Sequence, residues 1–301
     1  MTDDVRTIRA FNRTVTRRLG VLNEKYLGRE HPLIESRLLF EIGADGALIR
    51  DLRARLGLDS GFLSRTLRAL EGKRLLNTIK LQGDGRTRFA KLTRQGAAEL
   101  RRIDALSNKL AESLVAPLTG EQTRRLISAM AEVDRLLRAS GVEIAQALPD
   151  SPEARRCLDR YFDELASRFE GGFDRDTGRA SDVEGFVPPD GTFLVAQLFG
   201  TPVGCGALRA LGNGVGEIKR MWLAPEMRGL GVGRRLLEAL ERAACERKMR
   251  AIRLDTHESL TGAIQFYRVS GYREIARYND NPYAHHWFGK TLTTRRRTCG
   301  R

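Results

Sequence analysis

The sequence predicts a two-domain protein: an N-terminal α+β half that is mostly helical and contains a basic hairpin, and a C-terminal α/β half with a mixed sheet flanked by helices. Three observations carry this. Apolar residues recur at spacings of three and four through the first 140 positions, strand-like alternation interrupts them at 75–92, and beyond 190 strands alternate with helical stretches. At 301 residues the chain is long enough for two proper cores.

Taken in order, Val5, Ile8, Phe11, Val15, Leu19, Leu22 and Tyr26 make residues 3–27 a long amphipathic helix. Pro32 restarts the chain, and a second helix covers Leu33 to Ile42. A short helix from Leu48 to Leu56 stops at Gly57, and Asp59 or Ser60 caps another that runs to about Gly72. Two short helices joined by a tight glycine-containing turn form a helix-turn-helix. On the second of them Leu63, Thr66, Leu67 and Leu70 share one face, while Ser60, Ser64, Arg65 and Arg68 lie on the other. A small, polar and basic face of that kind suits a major groove. Leu75 to Leu81 and Arg88 to Leu92 read as strands around a Gly83-Asp84-Gly85-Arg86 turn, which would put Arg86 or Arg88 at a phosphate or a minor groove. Residues 59–94 hold nine basic residues against three acidic ones, a local share of the net +14 that points to a polyanionic partner. Leu100, Ile103, Leu106, Leu110 and Leu114 stripe the next helix, Thr119 with Gln122 forms a capping box, and Leu126, Met130, Val133 and Leu137 stripe the last.

This order, together with the Asp84-Gly85-Arg86 tip and the Leu92-Thr93-x-x-Gly96 sequence after it, resembles the MarR family of winged helix-turn-helix regulators. The resemblance implies double-stranded DNA as a partner and a homodimer built from the first and last helices.

The chain breaks at Gly141 and Leu148-Pro149, so the domains are placed at 1–145 and 150–292, with a basic tail at 293–301. Ser151 and Pro152 start a helix reaching Phe169, with Leu158, Tyr161, Phe162, Leu165 and Phe169 inward. Residues 171–189 lack pattern and are expected to form a loop over a substrate. Thr192 to Phe199 and Pro202 to Leu211 make a hairpin about Gly200-Thr201. Gly216 to Leu223 is a strand, Arg228-Gly229-Leu230-Gly231-Val232-Gly233 a glycine-rich turn, and Arg234 to Lys248 a helix. Strand, glycine turn and helix N-terminus in that order gather unpaired amides at a positive dipole end, which makes an anion site. The spacing is neither that of a P-loop nor that of a dinucleotide fingerprint.

The Arg-x-x-Gly-x-Gly run, the strand before it, Ile252-Arg253-Leu254-Asp255, and Ala263-Ile264-Gln265-Phe266-Tyr267 followed by Gly271-Tyr272 resemble the GNAT N-acetyltransferase family over residues 150 to 292. The resemblance implies a mixed, mostly antiparallel sheet and acetyl-CoA as co-substrate. It places acetyl-CoA against Met221, Trp222, Leu223, Arg228, Gly229, Leu230, Gly231, Val232, Gly233 and Arg234, and makes Tyr267 the donor to the departing thiolate. An amine of pKa ~10.4 is only about one part in 2,500 neutral at pH 7, worth about 4.6 kcal/mol, so a base is wanted. Glu217 is a candidate, with His257 and His285-His286 as alternatives, and Asn279 to Tyr283 either shape the acceptor pocket or form a plain loop.

The combined expectation is a bifunctional cytoplasmic protein, DNA-binding transcriptional regulator and acetyltransferase acting on an amine. Two other readings stay open: a regulator whose C-terminal half senses acyl-CoA without turnover, and an enzyme that uses its N-terminal half only to dimerise. The four cysteines are scattered without Cys-x-x-Cys spacing, so free thiols and no metal site are expected. The N-terminus lacks a secretion signal, and no apolar run approaches the ~20 residues of a membrane span.

Overall fold

A computed structural model of the chain describes residues 2–20, 26–28, 32–80, 88–169, 172–174 and 185–292. These form two compact units, Met1–Ala131 and Glu132–Arg301.

In the first unit, α1 (Asp3–Arg18), α2 (Leu33–Ile42), α3 (Ile49–Leu56), α4 (Ser60–Gly72) and α5 (Arg94–Val115) accompany a three-stranded sheet ordered β1 (Ala47–Leu48), β3 (Arg88–Leu92), β2 (Leu76–Lys80). α6 (Gly120–Ser140) begins in this unit and ends in the second. Leu38 and Leu39 of α2, Leu52 of α3, and Leu63, Leu67 and Leu70 of α4 bury one core against Leu75, Leu76 and Ala90. The caps expected from sequence are formed: Asp59 accepts from the Phe62 amide at 2.8 Å, and Thr119 and Gln122 bond reciprocally at 2.9 and 3.3 Å. Gly96 is required by contact: a Cβ there would lie 1.8 Å from the Leu75 carbonyl oxygen, so the start of α5 lies directly on the strand-entry backbone.

Two expectations for this unit are corrected. The first helix ends at Arg18 rather than reaching residue 27, because Gly20 turns to φ +63° just past the Leu19 cap. Leu22 falls outside the described residues, and Leu27 sits in a separate 3-10 turn at φ +55°. The residues before α3 are not helical, since Ala47 and Leu48 pair with Ala90 and Phe89 and complete the sheet. The Gly83–Arg86 tip lies outside the described residues.

The second unit is a seven-stranded sheet ordered β4 (Val142–Ala147), β5 (Gly191–Leu198), β6 (Thr201–Gly212), β7 (Val215–Leu223), β8 (Ala251–Thr256), β10 (His286–Thr291), β9 (Arg273–Glu274). All neighbours are antiparallel except β7 and β8. The sheet carries α7 (Pro152–Arg168), α8 (Val232–Glu246) and α9 (Thr261–Val269). Alternation along β5 sends Phe193 and Val195 into one core with Cys157 of α7, and Leu194 into a second with Leu236, Leu237 and Leu240 of α8.

The domain break expected across 141–150 is corrected as well. Val142–Ala147 is an edge strand paired in register with Phe193–Leu198, so the second sheet starts directly after α6. Arg235 of α8 fastens this junction, donating to the carbonyls of Ala139 at 2.9 Å and Val142 at 2.5 Å. Cys157, Cys205 and Cys245 are free thiols. No helix among the described residues is long and apolar enough to cross a membrane.

Candidate active site

The parallel pair β7–β8 is short. Only Val215–Glu217 face Ala251–Arg253, after which the two strands part and leave a slot in the middle of the sheet. Two cavities meet at this slot. One, of about 650 Å³, is bounded by α7, the end of β7, the glycine turn and α9; the other, of about 260 Å³, lies towards β8 and the 281–283 segment. Tyr161, Leu165, Met221, Leu260, Ala263 and Tyr267 line both.

The larger cavity ends at the N-terminus of α8. The first bond into that helix runs from the Arg235 amide to the Gly231 carbonyl at 3.1 Å, so the preceding amides of Gly229 to Arg234 find no backbone acceptor among the described residues. Gly229 and Gly231 take φ of +75° and +79°, and a Cβ on either would project into open space. Amides without a backbone acceptor, an αL turn and a positive dipole end therefore gather beside this cavity, which fits the pyrophosphate of acetyl-CoA. Met221, Trp222, Leu223, Arg228, Gly229, Gly231, Gly233 and Arg234 all line this cavity. Leu230 and Val232 do not: their side chains turn into the core, so only their backbone is available to a ligand.

Arg228 is a brace for the turn. Its Nε donates to the Leu223 carbonyl at 2.9 Å and its Nη2 to Glu164 at 2.5 Å. Glu164 also accepts from Trp222 Nε1 at 2.9 Å and pairs with Arg168 at 2.9 Å. Burial pushes the Glu164 carboxyl up, but the bonds from Arg228 and Trp222 and the two guanidinium charges outweigh it and hold the group below the usual carboxylate range.

Tyr267 stands where the cavities join. It is 7% exposed, and its hydroxyl has no hydrogen-bond partner among the described residues. Burial raises its phenol well above the ordinary value, reinforced by Tyr161 and Asp255. Tyr267 therefore stays protonated across the physiological range and keeps a hydrogen-bond donor at the cavities it lines. Its oxygen is not among the sealed, unpartnered polar atoms of the described residues, so it is open to the cavities that the ring lines.

Glu217 is not brought to either cavity. It is fully buried on β7, where it accepts from Arg209 at 2.6 Å, Tyr278 at 2.8 Å and Asn279 at 3.1 Å and lies 3.3 Å from Lys219. A carboxylate held by four donors and removed from the cavity is a structural anchor, so its candidacy as base is withdrawn. His257 does line the smaller cavity, but its Nδ1 accepts from the Ser259 amide at 3.0 Å, which leaves the ring proton on Nε2. Burial and the neighbouring His285 lower its pKa, which favours the neutral ring. His286 pairs with Glu274 at 2.7 Å, away from both cavities.

Sequence reasoning missed Asp255 as a site residue. Its carboxylate faces the smaller cavity and accepts from Lys219 at 2.5 Å, Asn279 at 2.6 Å and Asn281 at 2.8 Å. Burial opposes the ionised form, yet the Lys219 charge and these bonds lower its pKa overall. The available signal was a charged residue inside a strand whose neighbours Leu254 and Thr256 are buried. The polar 279–283 segment, left open as pocket or plain loop, is tied to the site through this carboxylate.

In the first unit, Ser60, Arg65 and Arg68 are exposed on α4, Ser64 is half-buried beside them, and Arg88 is exposed at the start of β3; Arg86 lies outside the described residues. Arg65, Arg68 and Arg88 make no ion pair among the described residues.

The sequence profile of the Acetyltransferase (GNAT) family matches residues 158–272, which contain both cavities' shared wall and the glycine turn. The chain is 36% identical over 118 residues to an IAA acetyltransferase of Azospirillum brasilense, covering 39% of this chain and 72% of that protein. It is 33% identical over 86 residues to an amino-acid acetyltransferase of Mycobacterium tuberculosis, covering 28% of this chain and 47% of that one. Among solved structures, the PaiA N-acetyltransferase of Thermoplasma acidophilum in complex with coenzyme A is 19% identical with a TM-score of 0.38, covering 50% of this chain and 99% of that one. With the amide cradle and the tyrosine at the slot, the family profile and the Azospirillum relative show that the chain belongs to the GNAT acetyltransferase family and is an acetyl-CoA-dependent N-acetyltransferase.

Proposed function

We propose that the chain joins a dimeric, MarR-like winged-helix DNA-binding module to its acetyltransferase domain, as a transcriptional regulator that also acetylates an amine. The observation that carries the regulatory half is α4. Its apolar face is buried to 8% exposure or less, while Ser60, Arg65 and Arg68 stand exposed on the other face, and the β2–β3 hairpin follows it directly. That arrangement supports insertion of α4 into a major groove with the hairpin beside it. Arg65→Glu and Arg68→Glu are each expected to weaken binding to a pseudo-palindromic duplex by about tenfold or more, with half-sites about one helical turn apart. Footprinting at physiological salt checks this, since low salt lets any basic protein bind DNA. Footprints unchanged by both substitutions would leave the N-terminal unit a dimerisation module only.

Dimerisation is supported by the apolar faces that the single chain leaves open. α1 buries no residue at all, although Ile8 and Phe11 are 58% and 47% exposed. On α6, Ile127, Met130 and Leu137 are 56%, 56% and 63% exposed. Faces of this kind on a soluble chain mark an interface. Light scattering of the intact chain is expected to give twice the chain mass at micromolar concentration, and Ile8→Asp with Phe11→Asp to shift it towards the monomer. A monomer for the unaltered chain would sink the proposal.

On the enzymatic side, acetyl-CoA supplies an activated acetyl thioester. The turn 228–234 would hold its pyrophosphate, Met221 to Leu223 its arm, and Tyr267 would donate a hydrogen bond to the thioester sulfur as charge develops there. The smaller cavity is read as the acceptor site, because it shares Tyr267 with the larger one.

A further inference from the structure

The acceptor cavity is walled by rings. Phe173 lies 5.0 Å from Tyr283 and 5.8 Å from Phe169, centroid to centroid, and Phe169 stacks on His257 at 3.9 Å with 24° between planes. Tyr161 continues this wall to Tyr267. At about 260 Å³ the cavity is at the small end of ligand pockets, sized for a small molecule or a single side chain.

The charges beside the rings narrow the choice. Arg209, Lys219 and Arg220 line the cavity against Asp174 and Asp255, and Asp255 already accepts from Lys219, Asn279 and Asn281. A polyamine's further ammonium groups would find no unengaged carboxylate there, since Asp255 is held by Lys219, Asn279 and Asn281 and Asp174 has a partner of its own, and rings alone would not hold them. A flat apolar group meets no such penalty and gains offset or edge contacts with Phe173 and Tyr283.

We propose that the acceptor is a small primary amine carrying a planar aromatic group, its ring against Phe173 and Tyr283 and its nitrogen towards Tyr267. This rests on reading the smaller cavity as the acceptor site. In the reaction the neutral amine nitrogen bonds the acetyl carbonyl carbon and the carbon–sulfur bond breaks. The proton lost by nitrogen balances the one taken up by the thiolate, giving an N-acetyl amide and free coenzyme A.

The test measures thiol release by the full chain with acetyl-CoA and phenethylamine, phenylalanine, tryptamine, hexylamine, putrescine, spermidine and a lysine peptide. Aromatic amines are expected to exceed hexylamine in kcat/KM by at least tenfold, and Phe173→Leu or Tyr283→Leu to remove most of that preference through KM. Both side chains are partly exposed, so these variants are expected to fold, and unchanged acetyl-CoA affinity by calorimetry confirms that they do. A parent enzyme that turns over putrescine, spermidine, the peptide or hexylamine as well as the aromatic amines overturns the aromatic class. Calorimetry on the coenzyme A complex gives a second readout: absence of aromatic amine binding also overturns it. An aromatic preference untouched by both substitutions would instead remove the acceptor from this cavity. Comparison of phenylalanine with phenethylamine shows whether a carboxylate is read as well.

Discussion

Tyr267→Phe is expected to lower turnover by roughly 10²-fold while leaving acetyl-CoA affinity close to that of the parent. The substitution removes one oxygen and keeps the ring that packs between Phe266, Tyr272 and Phe288. Because the hydroxyl has no protein partner among the described residues, its loss orphans nothing in the fold, and stability should hold or rise. Any fall in rate then reports the hydroxyl's interaction with the reacting groups. Burial raises the phenol well above its ordinary value, so it acts as a hydrogen-bond donor that does not ionise between pH 6 and 9, and removing it should not shift any break in the pH–rate profile across that range. An interaction made only in the transition state lowers kcat and kcat/KM together, so steady-state kinetics with calorimetry of acetyl-CoA binding separates the two effects. Equal turnover in variant and parent would take Tyr267 out of the mechanism.

The helix caps and the glycine turn were legible in sequence because each depends on local chemistry, whereas Tyr267 entered only through the resemblance of the 263–272 segment to a family. Pro32 and Gly43 bracket α2 to the residue, and Asp59 caps α4 through a bond three residues away. Arg228 to Gly233 likewise needs nothing beyond a strand before it and a helix after it. The misreadings share the opposite property. Alternation along β7 says that Glu217 points to one face, but its partners Tyr278 and Asn279 lie 61 and 62 residues further on. No local pattern says whether a buried carboxylate will meet a substrate or a ring of donors. β4 alternates Val142, Ile144 and polar neighbours, yet it sits between two chain breakers and pairs with a strand beginning at Gly191, so it read as a connector. The aromatic wall was out of reach for the same reason: Phe169 caps α7, Phe173 follows it, Tyr283 comes more than a hundred residues later in the segment before β10, and only the folded chain brings them together. Long-range packing, rather than weak propensity, is what the sequence withheld.

Gly233→Ala is expected to weaken acetyl-CoA binding by about 10- to 100-fold with little change in thermal stability, and this contrast makes it the sharper test of the cradle. A Cβ at Gly233 would meet the Phe266 ring at 3.8 Å and Leu223 at 4.0 Å, both ordinary contacts, and its backbone is not left-handed, so the fold tolerates alanine. In a helix the substitution even favours folding slightly. The same methyl group enters the cavity that the turn lines, where it holds an anionic group off the amides of the helix start. Hydrogen bonds to a charged group contribute about 1.5–3 kcal/mol each, so displacing one or two of them accounts for the expected loss. Gly231→Ala should behave differently. Its φ of +79° strains any residue with a Cβ, costing roughly 1–2 kcal/mol of stability in addition to any loss of affinity. Thermal melts of the two variants, set beside calorimetric titrations with acetyl-CoA, separate strain in the turn from exclusion of the ligand. Unimpaired binding by Gly233→Ala would mean that the pyrophosphate does not approach this turn, and acetyl-CoA would have to be held elsewhere along the cavity between α7 and α9.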